Sequence, residues 1–403
     1  MTKKRAIKPI HPFPARMAAD FVWKKLPSGQ PRLRVLDPMT GSGTTLVAAR
    51  LRGHEAIGFD RDPLAVLIAR AWASDVNVEN TEKEAATVLV SAKTHFEKIK
   101  LREAYPPGAN NETKKFVRYW FDATNRRQLA ALANCISEIK DQQIKSLLWC
   151  GFSRLIITKQ SGVSLAMDVS HSRPHKSYKK APINAFDHFE RAVRYVTKAA
   201  PFKAGTQSFP HASVENGDAR NLPVLGESVD IVVTSPPYLN AIDYLRGHKL
   251  SLIWMGHDIS RIRDIRSSNV GAEAPAAVDQ KDSATELIVE QMCTGSELGE
   301  RDRGMVRRYV KDLREVVRES YRVLKPGGKA IYVLGNCNLR DTFIENSHCV
   351  SALAKEAGFL IRSTRRRPLP ENRRYLPPPG AHSSGTALRK RMREEVVLTL
   401  VKM

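Results

Sequence analysis

Thr234-Ser235-Pro236-Pro237-Tyr238 follows directly on the apolar run Val229-Asp230-Ile231-Val232-Val233. Proline has no N–H and fixes φ, so a buried strand that stops on two prolines cannot continue its ladder and must turn out at its end. In an open parallel α/β sheet, ligands bind outside the carboxyl ends of the strands. A hydroxyl, backbone carbonyls that no neighbouring strand claims, and an aromatic ring are thereby offered together to something planar and polar. A nucleobase amine fits that description.

A second group of residues lies much earlier. Arg34-Val35-Leu36-Asp37 reads as a short strand, and Pro38-Met39-Thr40-Gly41-Ser42-Gly43-Thr44-Thr45 as a glycine-bearing turn into a helix. Gly41 and Gly43 let backbone approach a ligand closely at a helix N-terminus. A Walker phosphate loop would need Lys after its last Gly, and Thr44 stands there instead, which argues against ATP. About twenty residues on, Glu55-Ala56-Ile57-Gly58-Phe59-Asp60 is a second short strand ending in an acid, the position from which a carboxylate takes both hydroxyls of a ribose. Strand, glycine turn, helix, strand and acid predict a nucleoside site. Asp60 has a plainer reading as a helix N-cap, since Pro63 follows it.

The Asp-Pro-x-x-Gly-Ser-Gly-Thr-Thr turn at Asp37 to Thr45, taken together with Ser-Pro-Pro-Tyr, resembles the S-adenosylmethionine-dependent DNA amino-methyltransferases, which methylate the exocyclic nitrogen of cytosine or adenine. His11-Pro12-Phe13-Pro14-Ala15-Arg16-Met17 is similar to the N-terminal cofactor segment of those enzymes, and Gly217-Asp218-Ala219-Arg220 to a strand end whose acid faces the cofactor adenine. The resemblance covers about a quarter of the chain. It implies a Rossmann-like seven-stranded α/β methyltransferase sheet and S-adenosylmethionine held by His11, Phe13, Asp37, Thr40, Gly41, Gly43, Thr44, Asp60 and Asp218. The catalytic segment it implies is Ser235, Pro236, Pro237 and Tyr238. The order of the two motifs, glycine turn first, excludes the family group that reverses them.

The chemistry is consistent with those residue types. An exocyclic amine has its lone pair delocalised into the ring, so two acceptors on its hydrogens are needed to pull the nitrogen toward a tetrahedral shape. The Ser235 hydroxyl and the Pro236 carbonyl take that role by resemblance, with Tyr238 stacking on a base flipped out of the duplex. The serine form of the motif is the more frequent among cytosine-N4 enzymes, and a hydroxyl can accept from the amine while donating to the adjacent ring nitrogen, so cytosine N4 is expected and adenine N6 is the alternative. An RNA or protein amide methyltransferase of the same fold is the next reading. The protein-directed relatives usually carry Asn where Ser235 stands. A DNA-binding subunit without activity is a third. The five cysteines at 135, 150, 293, 337 and 349 form no C-x-x-C pair. Methylation at cytosine C5 places Cys after Pro at the strand end, where this chain has Pro237. No metal site is expected.

Lys and Arg total 65 against 42 Asp and Glu, a formal charge of +23 over 403 residues. Such an excess attracts polyanions and makes binding salt-dependent, so double-stranded DNA is the expected partner. A cognate restriction endonuclease acting separately would be a natural companion. Hydrophobic residues make up 42%, enough for a globular core, and no apolar run approaches the ~20 residues of a membrane span. The basic start Thr2-Lys3-Lys4-Arg5 leads into prolines and not into a signal-peptide core, so a cytoplasmic protein is expected.

The elements that must position these residues follow from periodicity. Pro63 to Ala73 reads as a helix laid on a sheet, with Leu64, Leu67, Ile68 and Ala71 on one side. The next strand of the pattern is Ala212 to Asn216, which divides the chain into residues 1–76 and 213–403 of the core and a helical, basic insertion at 77–212, a candidate DNA-recognition region. Helices are expected over Asn125 to Lys140 and Asp187 to Ala199. Between them Asp168 to Lys180 lacks periodicity and carries Arg173, His175, Lys176 and Lys179, suited to phosphate contacts. Residues 256–304 read as a loop insertion near the site. Val306 to Leu324 keeps helical spacing until Pro326-Gly327-Gly328, then strand is expected over Lys329 to Leu334, helix over Ser351 to Glu356, and strands over Phe359 to Ser363 and Val396 to Val401, the last antiparallel. Between the final strands a basic segment, Arg365 through Pro377, includes Arg366 and Arg373 as further DNA contacts.

Overall fold

The computed structural model describes residues 7–14, 16–29, 31–159, 161–171, 174–206, 208–239, 243–272, 282–339, 342–369 and 394–403. Seven strands form its main sheet: β1 (Arg34–Asp37), β2 (Glu55–Asp60), β3 (Ala212–Asn216), β4 (Val229–Thr234), β5 (Leu324–Leu334), β6 (Phe359–Pro368) and β7 (Glu394–Lys402). Their spatial order is β3-β2-β1-β4-β5-β7-β6. β1 pairs in parallel with β2 and β4, β2 with β3, and β4 with β5, whereas β7 runs antiparallel between β5 and β6. This is a Rossmann-like seven-stranded α/β sheet. The strand order reverses between β1 and β4, because the chain steps outward from β1 in one direction and from β4 in the other.

Helices cover both faces, which is why the central strands read as nearly unbroken apolar runs. Alternate residues point to opposite faces. Ile231, Val233, Ile331 and Val333 join the apolar cluster containing helices α1 (Ala19–Lys25), α2 (Thr44–Leu51) and α3 (Pro63–Trp72). Val232, Ala330, Tyr332 and Leu334 join the opposite cluster.

The long segment between β2 and β3 contains α4 (Val78–Lys98), α5 (Asn111–Trp120), α6 (Ala123–Ser137), α7 (Gln142–Ile156) and α8 (Ala185–Ala199). These helices do not form a core of their own. Leu129, Leu132, Leu148, Phe152 and Phe189 belong to the same cluster as α2 and α3. Arg50 of α2 ties the two parts together: its buried guanidinium lies 4.1 Å from the Phe202 ring centroid and 3.0 Å from Asp75. After β4 the chain returns to that helical layer through α9 (Tyr244–Leu252) and α10 (Ile259–Ser267), where Trp254 packs edge-on against Phe121. The opposite face is covered by α11 (Ser283–Met292), α12 (Glu300–Val323) and α13 (Asn346–Glu356).

Three expectations about elements differ from the structure. Residues 256–304, read as a loop insertion, contain α10, α11 and the start of α12 among the described residues. β5 begins at Leu324, earlier than Lys329, because Pro326-Gly327-Gly328 turns within the strand's opening residues and does not delay it. β6 runs on to Pro368, so Arg365, Arg366 and Arg367 are strand residues paired with Val397, Val396 and Glu395. Arg365 and Arg366 are exposed and Arg367 is half-buried on this edge strand, and an edge carrying cations resists pairing with other chains. Among the described residues no helix is long and apolar enough to cross a membrane.

Candidate functional site at the carboxyl edge of β1 and β4

The reversal of strand order leaves a crevice at the carboxyl ends of β1 and β4, the place where open α/β sheets take ligands. Val35 and Leu36 are paired with Ile231 and Val232, so the glycine turn and Ser-Pro-Pro-Tyr leave neighbouring strands side by side. Another cleft, of about 700 Å³, opens at the opposite edge among Lys25, Leu33, Asp230 and Lys325 and holds none of the motif residues.

The glycine turn is built for close approach. Thr40 N–H donates to the Phe59 carbonyl at 2.8 Å, and Gly43 N–H to the Thr40 carbonyl at 2.9 Å. Gly41 and Gly43 have φ of +51° and +93°, where a side chain is strained. A Cβ on Gly43 would lie 2.9 Å from the Ala69 Cα of α3, and one on Gly41 would reach 3.5 Å from the Phe13 ring. The Thr40 and Ser42 hydroxyls are buried with no hydrogen-bond partner among the described residues, and Thr44 starts α2 beneath them. Buried hydroxyls without partners carry a cost that a polar ligand in this cradle would relieve.

Asp60 stands at the end of β2 facing that turn. Its Oδ2 accepts from Gly41 N–H at 2.8 Å and its Oδ1 from Asp62 N–H at 2.9 Å. The N-cap reading of Asp60 does not hold: Asp62 caps α3 by accepting from Leu64 N–H at 2.9 Å. Burial first, and then the Asp62 charge, push Asp60 up to about 7. Asp37 at the end of β1 is pushed up to about 6 by burial, against the pull of the Thr45 and Thr234 hydroxyls.

The N-terminal segment closes one side. Phe13 stacks on Tyr244 of α9 with ring centroids 5.4 Å apart and lies 5.2 Å from the His248 ring. His248 hydrogen-bonds through Nδ1 to the second oxygen of Asp62, which joins α9 to the end of β2. His11 sits deeper: its Nε2 is 3.0 Å from the Ser153 hydroxyl of α7, its Nδ1 has no partner among the described residues, and burial pushes it well below the ordinary histidine range.

Asp218, expected to face the cofactor adenine, keeps a partly exposed side chain at the end of β3. Its carboxylate is taken by two guanidinium groups, Arg220 at 2.7 Å and Arg61 at 2.6 Å. Burial raises it, but the Arg220 bonds outweigh burial and hold it below the usual carboxylate range. Arg61 and Arg220 also donate to the hydroxyl and carbonyl of Ser268, each at 2.8 Å, so Asp218 organises the loop after α10.

Ser235 and Tyr238 are half-buried at the mouth, and Pro236 is buried beneath them. Ser235 donates its proton to the Val333 carbonyl of β5 at 2.9 Å. Its lone pairs therefore face away from β5, and the hydroxyl is an acceptor toward a ligand. Tyr309 of α12, fully buried, donates to the Pro237 carbonyl at 3.0 Å, and burial keeps that phenol protonated well beyond its ordinary range. Cys337 donates to the Leu239 carbonyl at 3.2 Å, and burial raises its thiol to about 11, a poor thiolate.

The residues expected to meet phosphate are dispersed. His175, Lys176 and Lys179 are exposed, whereas Arg173 and Arg373 lie outside the described residues. Arg366 is ion-paired to Glu394 at 3.0 Å on β6, level with the end of β5. No group of three or more His, Cys, Asp and Glu side chains among the described residues converges as a metal site.

Asp62, Tyr244, His248 and Tyr309 were not read from the chain. Only Asp62 carried a local signal, an acid directly before proline at a helix start. Tyr309 keeps the spacing of an apolar helix face, and nothing in that pattern tells its hydroxyl from a core residue.

No family model matches the chain. It is similar to the type II methyltransferase M.BsoBI of Geobacillus stearothermophilus, 23% identical in an alignment 383 residues long that covers 81% of this chain and 72% of that protein. It is also similar to the type II methyltransferase M.MvaI of Kocuria varians, 23% identical in an alignment 370 residues long that covers 86% of this chain and 80% of that one. Among solved structures, a TehB-like SAM-dependent methyltransferase of Corynebacterium glutamicum aligns over 96% of this chain and 86% of its own at 9% identity and a TM-score of 0.30, too low to add to the strand pairing above.

Proposed function

We propose that this chain is a site-specific DNA methyltransferase that moves a methyl group from S-adenosylmethionine to the exocyclic amine of a base extruded from the duplex, with cytosine N4 as the target. The observation that carries the reading is the adjacency of the glycine turn and Ser-Pro-Pro-Tyr at the carboxyl ends of β1 and β4, where the strand order reverses. The similarity to type II methyltransferases supports DNA as the substrate, as does the charge of +23.

The residues present fit the cofactor. The Gly41–Gly43 cradle, the buried Thr40 and Ser42 hydroxyls, the Asp60 carboxylate and the Phe13 ring would hold a nucleoside bearing a charged sulfonium. S-adenosylmethionine supplies an electrophilic methyl group. The chain does the rest by position. Ser235 Oγ, its own proton committed to Val333, accepts one hydrogen of the amine, and the Pro236 carbonyl accepts the other. Drawing both hydrogens to one side localises the nitrogen lone pair on the other, and Tyr238 holds the ring plane by stacking. Placing nitrogen and methyl ~3 to 3.5 Å apart supplies much of the acceleration. Extruding the base costs a few kcal/mol, recovered in the pocket.

Committing the Ser235 proton to Val333 has a bearing on the base. Donation to the cytosine ring nitrogen no longer supports the N4 assignment, which rests on the serine form of the motif, and adenine N6 is the second reading. Single-molecule sequencing of DNA from a methylation-deficient host expressing the chain reads base and context together. A modified cytosine in a fixed sequence is the expected result, modified adenine selects the second reading, and unmodified DNA from a host that expresses the folded chain overturns both.

Tyr309 is a positioning residue in this scheme, since it holds the Pro237 carbonyl and with it the orientation of the preceding Pro236 carbonyl. Tyr309→Phe is expected to lower kcat by about tenfold, the worth of one misplaced hydrogen bond, with KM for DNA and cofactor unchanged. Steady-state kinetics well below the unfolding temperature check this, and an unchanged kcat contradicts it.

A further inference from the structure

Tertiary packing gathers cations that lie far apart in the chain onto one surface beside the site. Asp243, five residues after Tyr238, pairs with Arg246 of α9 at 3.3 Å and with Arg266 of α10 at 2.8 Å. Arg263 of α10 pairs with Glu112 of α5. The Lys249 ammonium of α9 lies 5.2 Å from the Phe116 ring centroid of α5. One turn further along α5, the Tyr119 ring carries the Lys176 ammonium at 4.8 Å. Five cations from three segments, α9, α10 and the stretch around Lys176, thus line up along α5, and among the described residues the carboxylates that ion-pair with them are Asp243 and Glu112.

This face is not an ordinary solvated one of alternating sign. Burial pushes Lys249 below the usual lysine range, and the guanidinium groups of Arg266, Arg246 and Arg263 push it further, against the pull of Asp243. All three arginines are therefore within electrostatic reach of one partly buried ammonium. Their side chains keep 43%, 60% and 48% exposure for Arg246, Arg263 and Arg266, so the fold does not need them for packing. Like charges assembled at the surface destabilise a protein unless an anion neutralises them.

Position identifies the anion. α9 starts at Tyr244, whose ring stacks on Phe13, and the Phe13 ring would touch a Cβ on Gly41. The cationic face therefore begins at the rim of the methyl-transfer site and extends away from it over α10 and α5. We propose that the α5–α9–α10 face grips the phosphate backbone of duplex DNA on one side of the extruded base. This rests on the DNA-methyltransferase reading and adds to it the surface that seats the duplex. Phosphate contacts of this kind set register and affinity and carry no sequence information by themselves.

The test uses the full chain and the double variant Arg263→Gln/Arg266→Gln, with a fluorescent duplex containing the methylated sequence, anisotropy titrations over a series of salt concentrations, and calorimetry with S-adenosylmethionine. Removing two phosphate contacts is expected to reduce the slope of log affinity against log salt by about 1.8 and to weaken binding roughly 10- to 100-fold at 0.1 M salt. Arg263→Lys/Arg266→Lys is expected to recover most of both, while cofactor affinity and the single-turnover rate at saturating DNA stay unchanged. An unchanged slope in a wild-type chain that methylates DNA overturns the assignment of this face. So does tighter binding of single-stranded RNA than of duplex by the same cations. A wild-type chain that binds duplex with the expected slope and methylates no DNA strikes at the catalytic reading and leaves the face standing.

Discussion

Ser235→Ala is expected to lower single-turnover methyl transfer by about 100- to 1,000-fold, comparable with the removal of one preorganised polar group from a transition state, while calorimetric affinity for S-adenosylmethionine stays within about twofold of the wild type. The hydroxyl projects from the end of β4, and its proton is already donated to Val333 of β5. What it offers a substrate is a fixed pair of acceptor lone pairs at no cost of reorganisation. Alanine removes that acceptor and misaligns the amine, and a misplacement of about 1 Å alone costs 10²-fold. It also leaves the Val333 carbonyl unpaired, which costs about 1–3 kcal/mol of stability, so the rate is measured well below the unfolding temperature of the variant. The cofactor cradle lies on the neighbouring strand end and depends on Gly41, Gly43 and Asp60, none of which touches Ser235 through a hydrogen bond. A variant that transfers methyl groups within a few-fold of the wild-type rate removes Ser235 from the mechanism.

Asp60→Asn is expected to weaken S-adenosylmethionine binding by roughly 10- to 100-fold, the worth of charge-assisted hydrogen bonds to a buried carboxylate. The same residue makes the wild-type affinity depend on pH. With Asp60 pushed up to about 7 by burial and by Asp62, its neutral form predominates below that value, and a protonated carboxyl cannot accept from two ribose hydroxyls as well as from Gly41 and Asp62. Affinity should therefore fall roughly tenfold from pH 8 to pH 6, and Asp60→Asn should flatten that dependence. The sign for stability is opposite. The folded chain keeps a proton that the unfolded chain releases near the ordinary Asp value of 3.8, so the contribution of Asp60 to stability is full below that value and is lost as pH rises through about 7. Calorimetry at pH 6, 7 and 8 checks the first statement and urea unfolding of the ligand-free chain the second. An affinity that is flat across that range, or an Asn variant that binds as the wild type does, shows that Asp60 does no more than brace the glycine turn.

The site was legible where a backbone constraint is written in residue type. Pro236-Pro237 after an apolar run had to end a strand, and Gly41 and Gly43 had to mark a turn into a helix; the strand ends at Thr234, and both glycines take positive φ ahead of α2. Helices were legible where one face is apolar, as in Val306 to Leu324, and were missed where burial is nearly complete or the exposed face dominates. α7 and α10 are such cases, with α7 buried almost all round from Ser146 to Ile156 and α10 burying Ile262 alone among its nine residues. Arg365 to Arg367 misled because a run of cations resembles a loop, although a strand at the edge of a sheet tolerates them.

Local residue order determined the separate strands and helices of the core, the glycine turn and the proline-terminated strand of this protein, because strand and helix periods and the steric rules of glycine and proline act within a few residues. It determined the overall charge as well, but not where that charge is concentrated. Only the tertiary structure decided that Asp60 faces the glycine turn, that Asp218 meets Arg61, that Tyr309 of α12 and Val333 of β5 brace the Ser-Pro-Pro-Tyr loop, and that the cations of α9 and α10 gather beside α5. These contacts join polar groups about 20 to 160 residues apart in the chain, and such meetings are set by how the elements pack, a quantity that no local pattern encodes.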